Sequence, residues 1–198
     1  QAHRKVVVIG ASSTVGVEVC KRYLTAGHRV TAHFNSDLSA LSALTPHTHL
    51  EPVQCDLADL GSVRELANAN TDADILIFLA ALATPSHLEN IDVSQFEQTL
   101  AVGALSFAYA LANHASEFLP RSVRDWTANN VLTNVVRIGV TDTPLHEAFP
   151  DRNFQQRVEL IPLKRAATTA EIADFITWYG SEQNTFVSGQ TVTISGGE

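Results

Sequence analysis

The sequence has little or none of several features, and each absence narrows the class of protein. It has only two cysteines, Cys20 in a helix pattern and Cys55 in a strand pattern, so a disulfide framework is not expected and a cytoplasmic location is the default. No apolar run is long enough to span a bilayer, and the N-terminus has no long hydrophobic region typical of a signal peptide. Methionine is absent altogether, which leaves open whether the chain is the raw translation product.

Basic residues are also scarce, and this bears on the partners. There are 13 Lys and Arg against 21 Asp and Glu, a formal net charge of −8, with no basic run. This balance argues against nucleic acid or an anionic membrane as the main partner. The eight histidines show no convincing metal-ligand pattern, and no Gly-x-Ser-x-Gly motif supports a hydrolase. The remaining composition, 198 residues of which 45% are hydrophobic and 17% charged, predicts one globular domain over residues 1–198.

The most informative stretch runs from Lys5 to Gly27. An unbroken apolar run, Val6 to Ile9, is typical of a strand buried on both faces of a parallel sheet. Gly10 and a turn of small residues follow, and Gly16 then starts a helical pattern that Gly27 ends. Such a turn leaves backbone N–H groups at the positive end of a helix, where a phosphate can bind. We therefore predict a nucleotide cofactor site here.

The rest of the chain alternates between strand and helix patterns. Capping boxes at Ser62 with Glu65 and at Ser94 with Glu97 predict the starts of two helices. Further strands are predicted at Arg29–Asn35, Leu50–Cys55 and Asp74–Leu79, with a short helix between Asn35 and Thr48. Repeating β-α units predict a Rossmann-like, doubly wound parallel sheet in a three-layer α/β/α arrangement. Ligands bind such sheets at the carboxyl ends of the strands, where Gly10 and Asp56 are expected.

Taken together, these motifs resemble the short-chain dehydrogenase/reductase family almost from end to end. Gly10–Gly16 is similar to the family's glycine-rich cofactor loop, with Thr14 in place of the middle glycine. Residues 131–144 resemble its sixth strand and the following loop, and residues 162–197 resemble its closing helix and strand. The resemblance assigns cofactor binding to Gly10, Ser12, Ser13, Thr14, Val15, Gly16, Asn35, Ser36, Asp56, Leu57, Ala80, Ala81, Gly139, Val140 and Thr143.

The catalytic part departs from the family pattern. A helix pattern from Tyr109 resembles the family's catalytic helix, with Asn113 where the lysine belongs. Tyr109 and Asn113 are therefore the candidate catalytic residues, although packing of Tyr109 between apolar helices is an equal alternative. The active-site asparagine of the family falls on Gly103, and a few tens of residues that would hold the fifth strand and the catalytic serine have no counterpart between Gly103 and Tyr109.

Two interpretations of this gap remain open. In the first the deletion is real, and the helix from Ser94 continues into the helix from Tyr109 as one long crossover. In the second, residues of the natural protein are missing from this sequence, which the absence of methionine favours. The first predicts a nucleotide-binding sensor or subunit with impaired catalysis. The second predicts an NAD(P)-dependent oxidoreductase that interconverts a carbonyl and an alcohol, with Tyr109 as acid/base.

The resemblance also implies a cofactor preference and an assembly state. The second strand ends in His33-Phe-Asn-Ser36 without an acidic residue, which favours NADP over NAD, although no Lys or Arg follows closely to neutralise a 2′-phosphate. Members of the family usually form homodimers or homotetramers, and the apolar run from Ala104 to Ala112 fits such an interface or burial within the monomer. The substrate, a small carbonyl or alcohol, is not identified by the loop between His146 and Glu159.

Overall fold

This computed structural model describes residues 3–81, 93–102, 127–148 and 153–198. The chain divides into an N-terminal unit, Gln1–Ser116, and a C-terminal unit, Glu117–Glu198. Both units contain parallel strands joined by helices, which confirms the predicted α/β class. The assignment of residues 1–198 to one domain stays a prediction. Within the ranges given above, no helix has both the length and the hydropathy needed to cross a membrane.

A four-stranded parallel sheet forms the centre of the N-terminal unit. The strand order is β3-β2-β1-β4, with β1 at Lys5–Ile9, β2 at Arg29–Phe34, β3 at Leu50–Gln54 and β4 at Ile75–Phe78. Each strand ends within one residue of its predicted bounds. The chain runs outward from β1 to β3 and then returns past β1 to β4, so the topological switch point lies between β1 and β4. Ligands bind sheets of this kind at that point.

Helices cover both faces of this sheet. Helix α1, Thr14–Thr25, contacts β1 and β2 and buries Val19, Tyr23 and their neighbours. Helix α2, Leu60–Asn68, packs Val63 and Leu66 against Val7 and Ile9. Because successive side chains of a strand point to opposite faces, Val6 and Val8 lie on the other face. The core valines of β1 are at most 3% exposed, as expected for a strand covered on both sides.

The predicted capping boxes of the N-terminal unit are wrong. The cap of α2 is Asp59, whose carboxylate accepts hydrogen bonds from the backbone N–H groups of Gly61 and Ser62. An ionised carboxylate three residues before Ser62 is the stronger acceptor, so Ser62 lies inside the helix and donates its hydroxyl to Asp59 instead. Helix α3, Val93–Leu100, already includes Ser94. Gly27 ends α1 as predicted, with a φ of +85°.

The C-terminal unit contains a second parallel strand pair, β5 at Val135–Ile138 and β6 at Thr191–Ile194. A 3₁₀ turn at Pro144–Ala148, helix α4 at Phe154–Leu160 and helix α5 at Thr169–Tyr179 connect the two strands. Thr168 and Glu171 form a complete capping box at the start of α5. Val140, in the loop that follows β5, packs with Val158 and Ile161 in a small hydrophobic core.

Candidate functional site

The loop after β1 is shaped by Gly10. Its φ of +81° lies in the left-handed region that favours glycine. A Cβ at this position would lie 2.8 Å from the backbone N of Ala80, so no larger residue fits between the ends of β1 and β4. The structure therefore brings together two predicted cofactor residues, Gly10 and Ala80, at the switch point, and Ala81 follows directly in the chain.

The loop is packed tightly onto the start of α1. A Cβ on Gly16 would lie 2.4 Å from the carbonyl O of Gly10 and 2.8 Å from the Cα of Ala11. Ser13 caps the helix: its hydroxyl accepts from the N–H of Gly16 at 3.0 Å and donates to the carbonyl of Gly10 at 2.8 Å. Two glycines and one serine thus fix the path of the loop, although the usual middle glycine is replaced by Thr14.

Three backbone N–H groups of this loop, those of Ser12, Thr14 and Val15, have no partner among the residues that the structure describes. They lie at or just before the N-terminus of the 12-residue helix α1, where the helix dipole is positive. Donors of this kind bind a phosphate without any basic side chain. The residues therefore fit the pyrophosphate of a dinucleotide. Because Gly16 has no side chain and packs directly against Gly10 and Ala11, the groups available for binding here are those of the backbone.

The ends of β2 and β3 lie beside this loop. Phe34 pairs with Gln54, so Asn35 and Ser36 follow one strand where Asp56 follows the other. Asp56 is exposed, its carboxylate accepting from the N–H of Ala58, whereas Leu57 is buried. No Lys or Arg occurs from residue 30 to residue 63. The predicted adenosine side of the site is thus polar and carries no positive charge of its own.

His33 joins these strand ends, and the sequence analysis did not single it out. Its side chain is 3% exposed. Nδ1 lies 3.0 Å from the backbone N of Gly10, and Nε2 lies 2.9 Å from the carbonyl O of Cys55. Burial, the larger cause, lowers the pKa of His33, and the Cys55 carbonyl raises it. A histidine inside an otherwise apolar strand was the available signal, because a buried polar side chain requires partners.

Three of the predicted cofactor residues, Gly139, Val140 and Thr143, lie in the C-terminal unit. Gly139 directly follows β5 and donates its N–H to the carbonyl of Ile194. Val140 is buried, and Thr143 is half-buried at the start of the following loop. His146 holds this loop, with Nε2 2.7 Å from the carbonyl O of Thr141. The three predicted residues are thus at the carboxyl end of β5, as expected for a ligand-binding loop.

The two candidate catalytic residues, Tyr109 and Asn113, lie outside the described residues, as does Gly103. The crossover helix predicted to join α3 to the helix from Tyr109 lies there too. Among the residues that can be assessed, no group of three or more His, Cys, Asp or Glu side chains is arranged to hold a metal ion. Burial raises the pKa of the Cys55 thiol to about 11, so this side chain is not a thiolate nucleophile at neutral pH.

Comparison with known proteins agrees with this geometry. A family model described as short chain dehydrogenase matches residues 4–123, and one described as enoyl-(acyl carrier protein) reductase matches residues 108–198. The chain belongs to the short-chain dehydrogenase/reductase family. The predicted resemblance and fold class are confirmed, and with them the assignment to the NAD(P)-dependent oxidoreductases as a class. Both family models include residues 108–123, the part of this short-chain dehydrogenase/reductase that holds Tyr109 and Asn113.

Two of the similar curated proteins are named reductases. The 3-oxoacyl-[acyl-carrier-protein] reductase MabA of Mycobacterium tuberculosis is 23% identical over 234 positions, covering 98% of this chain and 92% of that protein. The acetoacetyl-CoA reductase of an Acinetobacter species is 22% identical, with 96% of each chain covered. A structure of BdcA in complex with NADPH superposes with a TM-score of 0.85 at 20% identity, covering 98% of this chain and 93% of that one. Because 234 aligned positions exceed 198 residues, some tens of positions in MabA have no counterpart in this short-chain dehydrogenase/reductase.

Proposed function

We propose that this protein binds NADP(H) or NAD(H) on the β1–α1 loop and interconverts a carbonyl and an alcohol. One observation carries the proposal: three backbone N–H groups, at Ser12, Thr14 and Val15, have no partner within the described ranges and lie at the N-terminus of α1, in a loop where neither Gly10 nor Gly16 leaves room for a Cβ. These donors would hold the pyrophosphate. A bound nicotinamide supplies the hydride, and the chain's own residues supply binding, orientation and the proton.

The remaining predicted contacts follow the strand ends. Asn35 and Ser36 would face the adenosine ribose, and Asp56 with Leu57 the adenine. Ala80 and Ala81, at the end of β4, would line the path past the phosphates. Gly139, Val140 and Thr143 would serve the nicotinamide from the loop after β5. The absence of an acidic residue at Asn35 and Ser36 supports NADP, whose 2′-phosphate would be repelled by a carboxylate there.

Tyr109 is the proposed proton donor. A tyrosine near its ordinary pKa of about 10 exchanges protons poorly at neutral pH. A neighbouring lysine would lower that pKa by its charge, whereas Asn113 can only hydrogen-bond. We therefore expect slow turnover. Asn113→Lys is expected to raise the rate about tenfold or more, because each unit by which the pKa falls makes the phenol a tenfold stronger acid.

A second function, nucleotide binding without turnover, is supported by the same region. The chain lacks some tens of positions present in MabA. The resemblance to the family implies that the missing stretch lies between Gly103 and Tyr109, where a catalytic serine is expected. Together with Asn113 in the lysine position, this would leave Tyr109 without either helper. Such a protein would act as a nucleotide-dependent sensor or subunit.

The experiment that separates the two functions begins with an intact mass. A mass of 21.4 kDa matches the 198 residues, and a clearly larger mass shows that further residues are present. The same sample is titrated with NADPH and NADH by fluorescence and then tested for cofactor oxidation with a carbonyl panel that includes 3-oxoacyl thioesters. Turnover that Tyr109→Phe abolishes supports the enzyme. Tight binding with no turnover, even in Asn113→Lys, supports the sensor, and no binding of either nucleotide contradicts both.

Assembly and location remain part of the proposal. We infer a homodimer or homotetramer in the cytoplasm that acts on a small molecule rather than on nucleic acid or a membrane, in keeping with the net charge of −8. Light scattering coupled to size exclusion measures the assembly directly. A monomer at micromolar concentration would contradict this inference without affecting the cofactor site.

A further inference from the structure

Within the described ranges, His33 is the one buried histidine that connects the carboxyl ends of different strands, where the predicted cofactor residues Gly10 and Asp56 lie. These strand ends are called the cofactor edge below. It lies near the carboxyl end of β2, between β1 and β3. Its ring reaches Gly10 at the end of β1 on one side and Cys55 just after β3 on the other. Its main chain adds a third link, because its carbonyl accepts from the N–H of Ala11 at 2.9 Å. One residue thus touches both the phosphate loop and the turn that carries Asp56.

The two partners determine which nitrogen carries the proton. The group at Gly10 is a backbone N–H, which can only donate, so Nδ1 must accept and carry no hydrogen. The group at Cys55 is a carbonyl, which can only accept, so Nε2 must carry the hydrogen. Both bonds exist together only in the neutral Nε2–H tautomer. An imidazolium would place a second N–H against that of Gly10, and this bond would be lost.

We propose that His33 is a positioning residue for the cofactor: its neutral ring holds the phosphate loop against the β3–α2 turn, and protonation of the ring releases Gly10 and weakens nucleotide binding. The proposal rests on the cofactor site proposed above. Gly10 is the point where this release matters, because its carbonyl is also held by the Ser13 hydroxyl that caps α1. A displaced Gly10 therefore moves the loop that carries the N–H groups of Ser12, Thr14 and Val15.

The surrounding groups set the sign of the pH effect. The titratable side chains near the Cys55 end are Cys55 itself, with its raised pKa, and the exposed Asp56, Asp59 and Glu65. Gly10 and Ala11 on the β1 side have no titratable group. Burial lowers the pKa of His33 below its ordinary value of 6.5. The ring is therefore neutral at neutral pH, and its contribution is lost as the pH falls through this lowered pKa.

The chain offers a matched control in His28. The Nδ1 atom of this histidine also accepts a hydrogen bond from a backbone N–H, that of Arg4 at 3.2 Å. His28 directly precedes β2, however, and so lies at the amino-terminal ends of the strands, away from the cofactor edge. His33→Asn keeps an acceptor near the position of Nδ1 and cannot titrate, and His28→Asn makes the same change away from the cofactor edge. A difference between the two variants therefore reports on position rather than on loss of a histidine.

The test measures the dissociation constant of NADPH from about pH 7.5 down to the lowest pH at which the protein stays folded, in the whole protein and in both variants. Wild type and His28→Asn are expected to lose affinity, by up to about tenfold, the equivalent of one hydrogen bond, as the pH falls through the lowered pKa of His33, whereas His33→Asn is expected to bind more weakly at neutral pH and to vary less. A His33→Asn variant with the wild-type pH slope overturns the proposal, as does wild-type binding that tightens on acidification.

Imidazole NMR of the wild type, without nucleotide, provides the second measurement. It should show His33 as the Nε2–H tautomer at neutral pH, with the Gly10 amide shift following the titration of the ring. Observation of the Nδ1–H tautomer overturns the proposal even if the variants fold poorly. So does a Gly10 amide chemical shift that stays constant while the His33 ring titrates. If NADPH binds at no pH while the amide does follow the ring, the proposed function fails and the link between His33 and the loop stands.

Discussion

Replacing Gly16 by alanine tests the packing of the β1–α1 loop most directly. The new Cβ would lie 2.4 Å from the carbonyl O of Gly10 and 2.8 Å from both the Cα and the carbonyl O of Ala11. All three are backbone atoms, so no side-chain rotation relieves the contact. Restoring an ordinary separation of 3.4 Å requires the loop and the helix to part by about 1 Å. We therefore expect both stability and nucleotide binding to fall.

The magnitudes follow from two opposing effects. Overpacking costs about 1–3 kcal/mol, and the better helix propensity of alanine returns about 1 kcal/mol. The net loss of up to about 2 kcal/mol lowers the melting temperature by a few degrees in a chain of this size. Misplacing even one donor to the pyrophosphate costs about 1.5–3 kcal/mol, which weakens NADPH binding by about 10- to 100-fold. Binding is thus expected to suffer more than stability.

Gly61→Ala is the matched control. Gly61 also lies in the first turn of a helix, but its nearest neighbour would be the carboxylate Oδ1 of Asp59 at 3.3 Å, the end of a side chain that can move. We expect equal or slightly higher stability, by about 0.5–1 kcal/mol, and unchanged NADPH affinity. Thermal unfolding and fluorescence titration of both variants provide the comparison. If Gly16→Ala behaves like Gly61→Ala in both assays, the loop is not held as argued.

Other parts of the chain give three further predictions. Gly139→Ala places a Cβ 2.7 Å from the Cα of Ser195, so the free energy of unfolding, measured by chemical denaturation, should fall by about 1–3 kcal/mol. An unchanged denaturation midpoint would mean that the ends of β5 and β6 separate easily. Ser13→Ala removes the cap of α1 and should cost about 1 kcal/mol in the same assay, whereas a neutral result would show that water replaces the hydroxyl. The Arg165 guanidinium holds the pKa of Glu171 at about 2, below its usual 4.5, so the stabilisation by this ion pair is present above pH 4.5 and lost as the pH falls towards 2. In Glu171→Gln the melting temperature should therefore fall less between pH 4.5 and pH 2 than in the wild type. An equal fall in both proteins would contradict the ion pair.

The sequence allowed the N-terminal strands and the phosphate loop to be predicted because their signals are local. Val6 to Ile9 is a buried run, and Gly10 and Gly16 stand where only glycine fits. The cap of α2 could not be decided locally, since Asp59 and Ser62 both have suitable spacing and only the carboxylate's stronger acceptance selects the start.

Other features depend on contacts between distant residues. His33 meets Gly10 from 23 positions away and Cys55 from 22, distances that no local pattern encodes. The sequence of β2 by itself gives no partner for the His33 side chain. The roles of Tyr109 and Asn113 rest on resemblance alone and stay predictions, because acid/base chemistry depends on the mutual placement of side chains.

The central position of β1 has a consequence for synthesis of the chain. Lys5 and Asp74, which are 69 residues apart, form a hydrogen bond where β1 meets β4. At a translation rate of about 5–20 residues per second, β1 is made several seconds before that partner. During this interval β1 can pair with β2 alone, and its other edge, an apolar run of valines, is exposed to neighbouring nascent chains. The strand at the centre of the finished sheet is therefore open to pairing with other chains while this chain is incomplete.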